Sequence, residues 1–251
     1  MAARKPWEVI YRDERYRWIW PPEYDPQNPP FQPDVIVKLL DACPPARVLD
    51  LACGQGWLTI PLALRGFEVT GSDLSEVMLA RARTAAEAAD AVIEWHRGDM
   101  RFLPEAWDSS FDFVTLTLSE FGCFEDDAEN QAVLDGVARV LRPGGRFLID
   151  LVTNRDGLAA RGDTWSYLEG DGYLVAEDET IDLLSGLCKR NYHWYEDGRK
   201  YEWAWQIRAY APSEVAVMLR KAGLNVVSVH ADLGGAELTR TSVGMTFVVS
   251  R

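Results

Sequence analysis

The sequence predicts an α/β fold: a doubly wound, mostly parallel seven-stranded sheet with helices on both faces. An antiparallel β insertion comes before the last helix, and an N-terminal aromatic segment acts as a lid. Three observations carry this. From Arg47 to Asp150, short β-type apolar runs alternate with longer helical stretches, as in a parallel sheet covered on both sides. From Thr164 to Tyr210 the chain alternates in a β manner and is dense in Trp and Tyr. Beyond Pro212 a helical stretch and two apolar runs resume the first pattern.

The elements follow in order. Strands are expected at 47–51, 67–72, 91–95, 111–116 and 145–151, with helices at 57–65, 75–89 and 126–141. Ser75 offers an N-cap hydroxyl, and Arg142-Pro143-Gly144-Gly145 supplies a helix stop and a turn. In the insertion, Gly170-Asp171-Gly172, Ser185-Gly186 and Glu196-Asp197-Gly198 are spaced as hairpin turns. Pro212-Ser213-Glu214 opens a helix that ends at Lys221-Ala222-Gly223, and 224–230 and 244–250 close the sheet. The chain therefore reads as one domain over 1–251: a lid or strap at 1–34, a cofactor-binding core at 46–153, the β-rich insertion at 155–210, and a closing helix with two strands at 212–251.

Composition narrows the function. At 47% hydrophobic and 26% charged the chain is an ordinary globular protein, and its net charge of -13 disfavours nucleic acid as a partner. No apolar run is long enough to span a bilayer, and no apolar stretch follows the N-terminal charges, so no membrane partner is expected and the cytoplasm is the default location. The four cysteines are far apart and only three histidines accompany them, which reads as reduced apolar residues and no metal site. A small molecule fits better as the substrate.

The chemistry concentrates at strand ends. Ala52-Cys53-Gly54-Gln55-Gly56 is a glycine-rich turn between the first strand and its helix, where backbone can approach a ligand at the sheet's carboxyl edge. Asp73 ends the second strand, where a carboxylate can take both hydroxyls of a ribose. Gly98-Asp99-Met100 ends the third, with Asp99 placed for an adenine amino group and Met100 for its ring. A pyrophosphate-binding turn calls for a third glycine, and Thr59 stands there instead. Asp50 beside the turn would repel pyrophosphate and attract a sulfonium or ammonium, or it caps nearby amides.

Five motifs in order, Val48 to Gly56, Val69 to Ser75, Gly98 to Met100, Phe111 to Val114 and Leu141 to Phe147, resemble those of class I (Rossmann-like) S-adenosylmethionine-dependent methyltransferases over Ala46 to Asp150. The insertion and Leu118 to Phe124 are similar to small-molecule members that methylate sugar amines and secondary metabolites. The resemblance implies S-adenosylmethionine as cofactor and S-adenosylhomocysteine as product. It implies a cofactor-binding set of Tyr16, Trp20, Asp50, Ala52, Gly54, Gly56, Asp73, Leu74, Met78, Asp99, Met100 and Leu118, with Tyr11 a further aromatic for the lid. Ala52 stands where many relatives have glycine.

Methyl transfer is an in-line displacement that needs alignment and dryness more than a base, though a base helps an amine or hydroxyl lose its proton. Glu120, beyond the fourth strand, and His193, in the insertion, are the candidate catalytic groups. The insertion's aromatics read either as a cage for a cationic or planar acceptor or as a homodimer surface. The leading expectation is transfer to an N or O nucleophile of a small molecule. Methylation of a protein side chain, other S-adenosylmethionine-dependent chemistry and a non-catalytic scaffold stay open as alternatives.

Overall fold

The computed structural model describes residues 33–118, 121–124, 126–170, 173–196 and 198–251. The expected lid therefore lies almost wholly outside the described residues. The chain begins with α1 (Pro33–Leu40), then runs β1 (Arg47–Leu51), α2 (Thr59–Leu64), β2 (Glu68–Asp73), α3 (Glu76–Ala88), β3 (Glu94–Arg97), β4 (Phe111–Leu116), α4 (Asp127–Val140) and β5 (Leu141–Leu151). After α5 (Arg155–Arg161) come β6 (Thr164–Gly170), β7 (Tyr173–Asp182), β8 (Leu187–Glu196) and β9 (Arg199–Arg208). The chain closes with α6 (Pro212–Lys221), β10 (Asn225–His230) and β11 (Met245–Ser250).

The main sheet has the order β10-β11-β5-β4-β1-β2-β3, parallel from β5 to β3, with β11 antiparallel to its neighbours β5 and β10. Alternate residues of each strand sort onto two faces. Leu49, Leu51, Leu116, Phe147 and Ile149 pack with Val133, Leu134 and Val137 of α4 and with Val215 and Leu219 of α6. Val48, Val69, Leu148 and Val248 pack with Ile36 and Leu40 of α1 and with Leu58 and Leu62. A carboxyl edge lined by five parallel strand ends results, which is where open α/β sheets bind ligands.

The second sheet is a meander, β6-β7-β8-β9, in which Gly170 pairs with Tyr173, Asp182 with Leu187 and Glu196 with Arg199. The structure departs from the sequence expectations in four places. β3 starts at Glu94, and Val92, apolar enough to suggest a strand, is exposed. Arg142-Pro143-Gly144-Gly145 does not precede β5 but loops out within it, because Gly144 at φ +80° lets the pairing jump from Phe111–Leu141 to Phe113–Arg146. Seven-residue α5, capped by the Asn154 side chain and stopped at Gly162, is too short to show a helical period. α1, lying at the end of the expected strap, belongs to the core instead.

Candidate active site

The turn after β1 is shaped by three residues of positive φ: Ala52 (51°), Gly54 (56°) and Gly56 (89°). It is tied to β2 from both ends. The Cys53 amide donates to the Ser72 carbonyl at 3.1 Å, and the Gly54 amide donates to Asp73 Oδ2 at 2.8 Å. Asp73 Oδ1 accepts the Ser75 amide at 2.8 Å, so the carboxylate at the end of β2 is fixed in one orientation, while burial pushes its pKa up. Beside it Leu74 is 40% exposed, and the space over Gly54 is open to 4 Å. Met78 is buried on α3, behind the N-cap bond in which its amide donates to Ser75 Oγ.

Asp50 is 1% exposed. Its oxygens accept the hydroxyls of Thr59 at 2.6 Å and Thr115 at 2.8 Å, so it binds α2 and β4 to β1 and shows no surface to a ligand. Asp50, expected among the cofactor-binding residues, is instead buried between two hydroxyls. Desolvation pushes its pKa up to about 6. Thr59, which read only as a missing glycine, is its partner.

At the end of β3, Asp99 is gripped by Arg101. The Arg101 amide donates to Oδ1 at 2.9 Å, Nε to Oδ1 at 3.0 Å and Nη2 to Oδ2 at 2.6 Å. Met100 packs on the α4 side of the core. At the end of β4, Leu118 has φ +53°, and its amide donates to Oδ2 of Asp150 at 3.2 Å. Asp150 is 5% exposed, its other oxygen accepts the Thr246 hydroxyl at 2.7 Å, and burial pushes its pKa up to about 6. Sequence reasoning gave Arg101 and Asp150 no part; a carboxylate within the apolar run Phe147 to Leu151 was the available signal for the second.

The second sheet stands on this edge. The Arg208 amide donates to the Gly122 carbonyl at 2.8 Å, and a Cβ on Gly122 would overlap the Arg208 carbonyl oxygen and approach Ile207. Asn130 accepts the Gly122 amide at 3.1 Å and donates to the Phe124 carbonyl and to Tyr210 Oη, which donates to Asp127 at 2.6 Å. Strand pairing places Glu177, Arg190, Tyr192, Trp194, Trp203 and Trp205 on the face that Ile207 turns toward Gly122. Trp194 and Trp203 meet edge to face at 4.8 Å, and Glu179 is held there by Arg161 and Arg190. His193 lies on the opposite face, between Glu202 at 3.0 Å and Asp178 at 3.3 Å. The structure thus does not bring His193 to the carboxyl edge, since alternation along β8 turns it away whenever Tyr192 and Trp194 face inward. Glu120, Tyr11, Tyr16 and Trp20 lie outside the described residues.

The model of the methyltransferase domain family matches residues 48–145, the segment that builds this edge. The chain is 30% identical over 217 residues to the cypemycin N-terminal methyltransferase of a Streptomyces species, covering 81% of this chain and 82% of that protein. This chain belongs to the class I S-adenosylmethionine-dependent methyltransferases. The fold of this methyltransferase is shared by the CcbJ methyltransferase of Streptomyces caelestis, with a TM-score of 0.81, 24% identity and coverage of 96% and 98%. It is shared as well by CalS10, an amino pentose methyltransferase of Micromonospora echinaspora solved with S-adenosylmethionine bound, with a TM-score of 0.65, 22% identity and coverage of 87% and 88%.

The residues present fit the cofactor. Ala52 to Gly56 contains no cation to hold a phosphate, and the Asp73 carboxylate beside it is an acceptor that suits the hydroxyls of a ribose. Gly54 lies under open space where backbone can be approached. Among the described residues of this methyltransferase, no helix is long and apolar enough to cross a membrane.

Proposed function

We propose that this chain methylates an amine nitrogen of a small molecule. The observation that carries the reading is the aromatic wall of Tyr192, Trp203 and Trp205 on the second sheet, the same face whose Ile207 meets Gly122 beyond the end of β4. Aromatic faces attract ammonium groups. The relatives support the same acceptor class, one being named for a peptide N-terminus and another for an amino pentose.

The chain's own residues bind and align. In this reading Gly54, Gly56 and Ala52 lay backbone against the methionine portion, Asp73 takes the ribose hydroxyls, Leu74 and Met100 flank the adenine, and Asp99 takes its amino group. S-adenosylmethionine supplies an electrophilic methyl on a sulfonium. Leu118 and the wall exclude water around the reacting atoms and hold the nitrogen in line. The amine must arrive, or become, neutral; Glu120, two residues beyond Leu118 in sequence, is the group proposed to hold its proton. Asp50 contributes charge from beneath, and Met78 contributes packing.

The test is a panel of amino sugars, peptides with a free α-amine and matched hydroxyl compounds, incubated with S-adenosylmethionine and read by mass. Methylation confined to amines is the expected result; methylation confined to hydroxyls overturns the reading. Peptide-only methylation would assign the acceptor to the class of the first relative.

A further inference from the structure

Arg101 makes more contacts than any surface arginine needs. Its guanidinium and amide hold both oxygens of Asp99, it pairs with Glu129 in the first turn of α4, and its plane lies 4.4 Å from the ring centroid of buried Phe124. Phe102 covers it at 5.3 Å, and its side chain is 14% exposed. A planar fork bound edge-on to a carboxylate fixes the carboxylate's plane as well as its place. Phe124 and Glu129 fix the fork in turn, from the loop and helix that follow β4. The end of β3 is thereby locked to the end of β4 through one side chain.

We propose that Arg101 is a positioning residue for purine recognition: by setting the plane of Asp99 it makes the site select a 6-amino over a 6-oxo purine. This rests on the reading that Asp99 takes the adenine amino group. An amino group donates and a 6-oxo group accepts, so a carboxylate aimed at that position attracts the first and repels the second. The selection is sharp only if the carboxylate cannot swing aside, and a lone aspartate after a strand end has a χ1 and a χ2 free to do so.

Binding of S-adenosylhomocysteine and S-inosylhomocysteine, measured by calorimetry on the full chain, tests this. The unaltered chain should prefer the adenosine compound by tenfold or more. Arg101→Met keeps the stem over Phe124 and removes the fork; its preference should fall to threefold or less, mainly by weakened binding of the adenosine compound. Arg101→Lys, which keeps the charge without the planar fork, should recover less than half of the lost preference on a logarithmic scale. A merely structural role would weaken both ligands equally and leave the preference unchanged, which overturns the proposal, as does a preference that rises. If Arg101→Met does not fold, Glu129→Gln loosens the fork from α4 and should lower the preference; an unchanged preference there overturns the proposal too. Asp99→Asn separates the two readings. If it leaves the preference intact, adenine recognition by Asp99 fails, and Arg101 fails with it. If it abolishes the preference and Arg101→Met does not lower it, the Arg101 proposal alone fails.

Discussion

Asp73 holds the turn after β1 and the start of α3 through two backbone amides, and a carboxylate has acceptor capacity beyond two bonds. Asp73→Ala should weaken S-adenosylhomocysteine binding at least tenfold, ~1.4 kcal/mol, by calorimetry; unchanged affinity would place the ribose elsewhere. Asp50 and Asp150 behave differently, because both are buried, Asp50 between two hydroxyls and Asp150 between a hydroxyl and an amide, and burial pushes both from the ordinary carboxylate range up to about 6. A raised carboxylate pKa means the folded state binds protons more tightly than the unfolded. Stability therefore falls as pH rises from about 4 to about 6, by on the order of 3 kcal/mol for each group. Urea denaturation of Asp150→Asn over that range should show a shallower fall than the unaltered chain; an identical profile would mean Asp150 is not titrating there. At this scale the sequence showed where acids end strands but not what they touch. Asp50 beside a glycine turn looked like a ligand contact, and only the register of β1 against β4, which sets Thr115 next to it, shows the carboxylate buried.

Among elements, the loop after β4 is the junction. It carries Leu118 at positive φ, a conformation that costs a leucine on the order of 1–2 kcal/mol and that the Asp150 bond helps to hold. It meets β9 at Gly122, where φ is +98° and no side chain fits. Gly122→Ala should destabilise the fold by about 2 kcal/mol or more through combined strain and overlap, read as a lower midpoint in urea. Asn130→Leu should cost about 1–3 kcal/mol, since it strips partners from the Gly122 amide and Tyr210 Oη in a buried site. The elements themselves were largely legible. The three glycine-containing turns expected in the insertion fall between the paired strand ends, and the strands of the parallel core match within a residue or two except at β3 and β5. α5 was not legible, because seven residues are too few to show a helical period; in the structure its Gly157 is required where the helix passes against the backbone of Ser242. The two faces of the second sheet were legible as alternation, but which face turns inward depends on the Gly122–Arg208 contact, some 86 residues apart in sequence, and so His193 could not be placed.

For the whole molecule, the net charge of -13 bears on the acceptor. Charges spread over a surface act within a Debye length, about 10 Å at 0.1 M salt, and raise encounter rates for ligands of opposite sign. Partly buried pairs such as Arg101 with Asp99 and Glu179 with its two arginines are screened less than surface pairs, so the site's internal geometry should largely persist as salt is added. The two contributions can therefore be separated. For a cationic amine identified in the panel, kcat/KM should fall several-fold between about 0.02 M and 0.3 M salt while kcat stays level. A neutral acceptor of similar size should show no such fall. Equal salt dependence for both would assign the effect to the cofactor or the fold, and a rise with salt for the cation would mean that the acceptor enters through a locally positive surface despite the acidic whole.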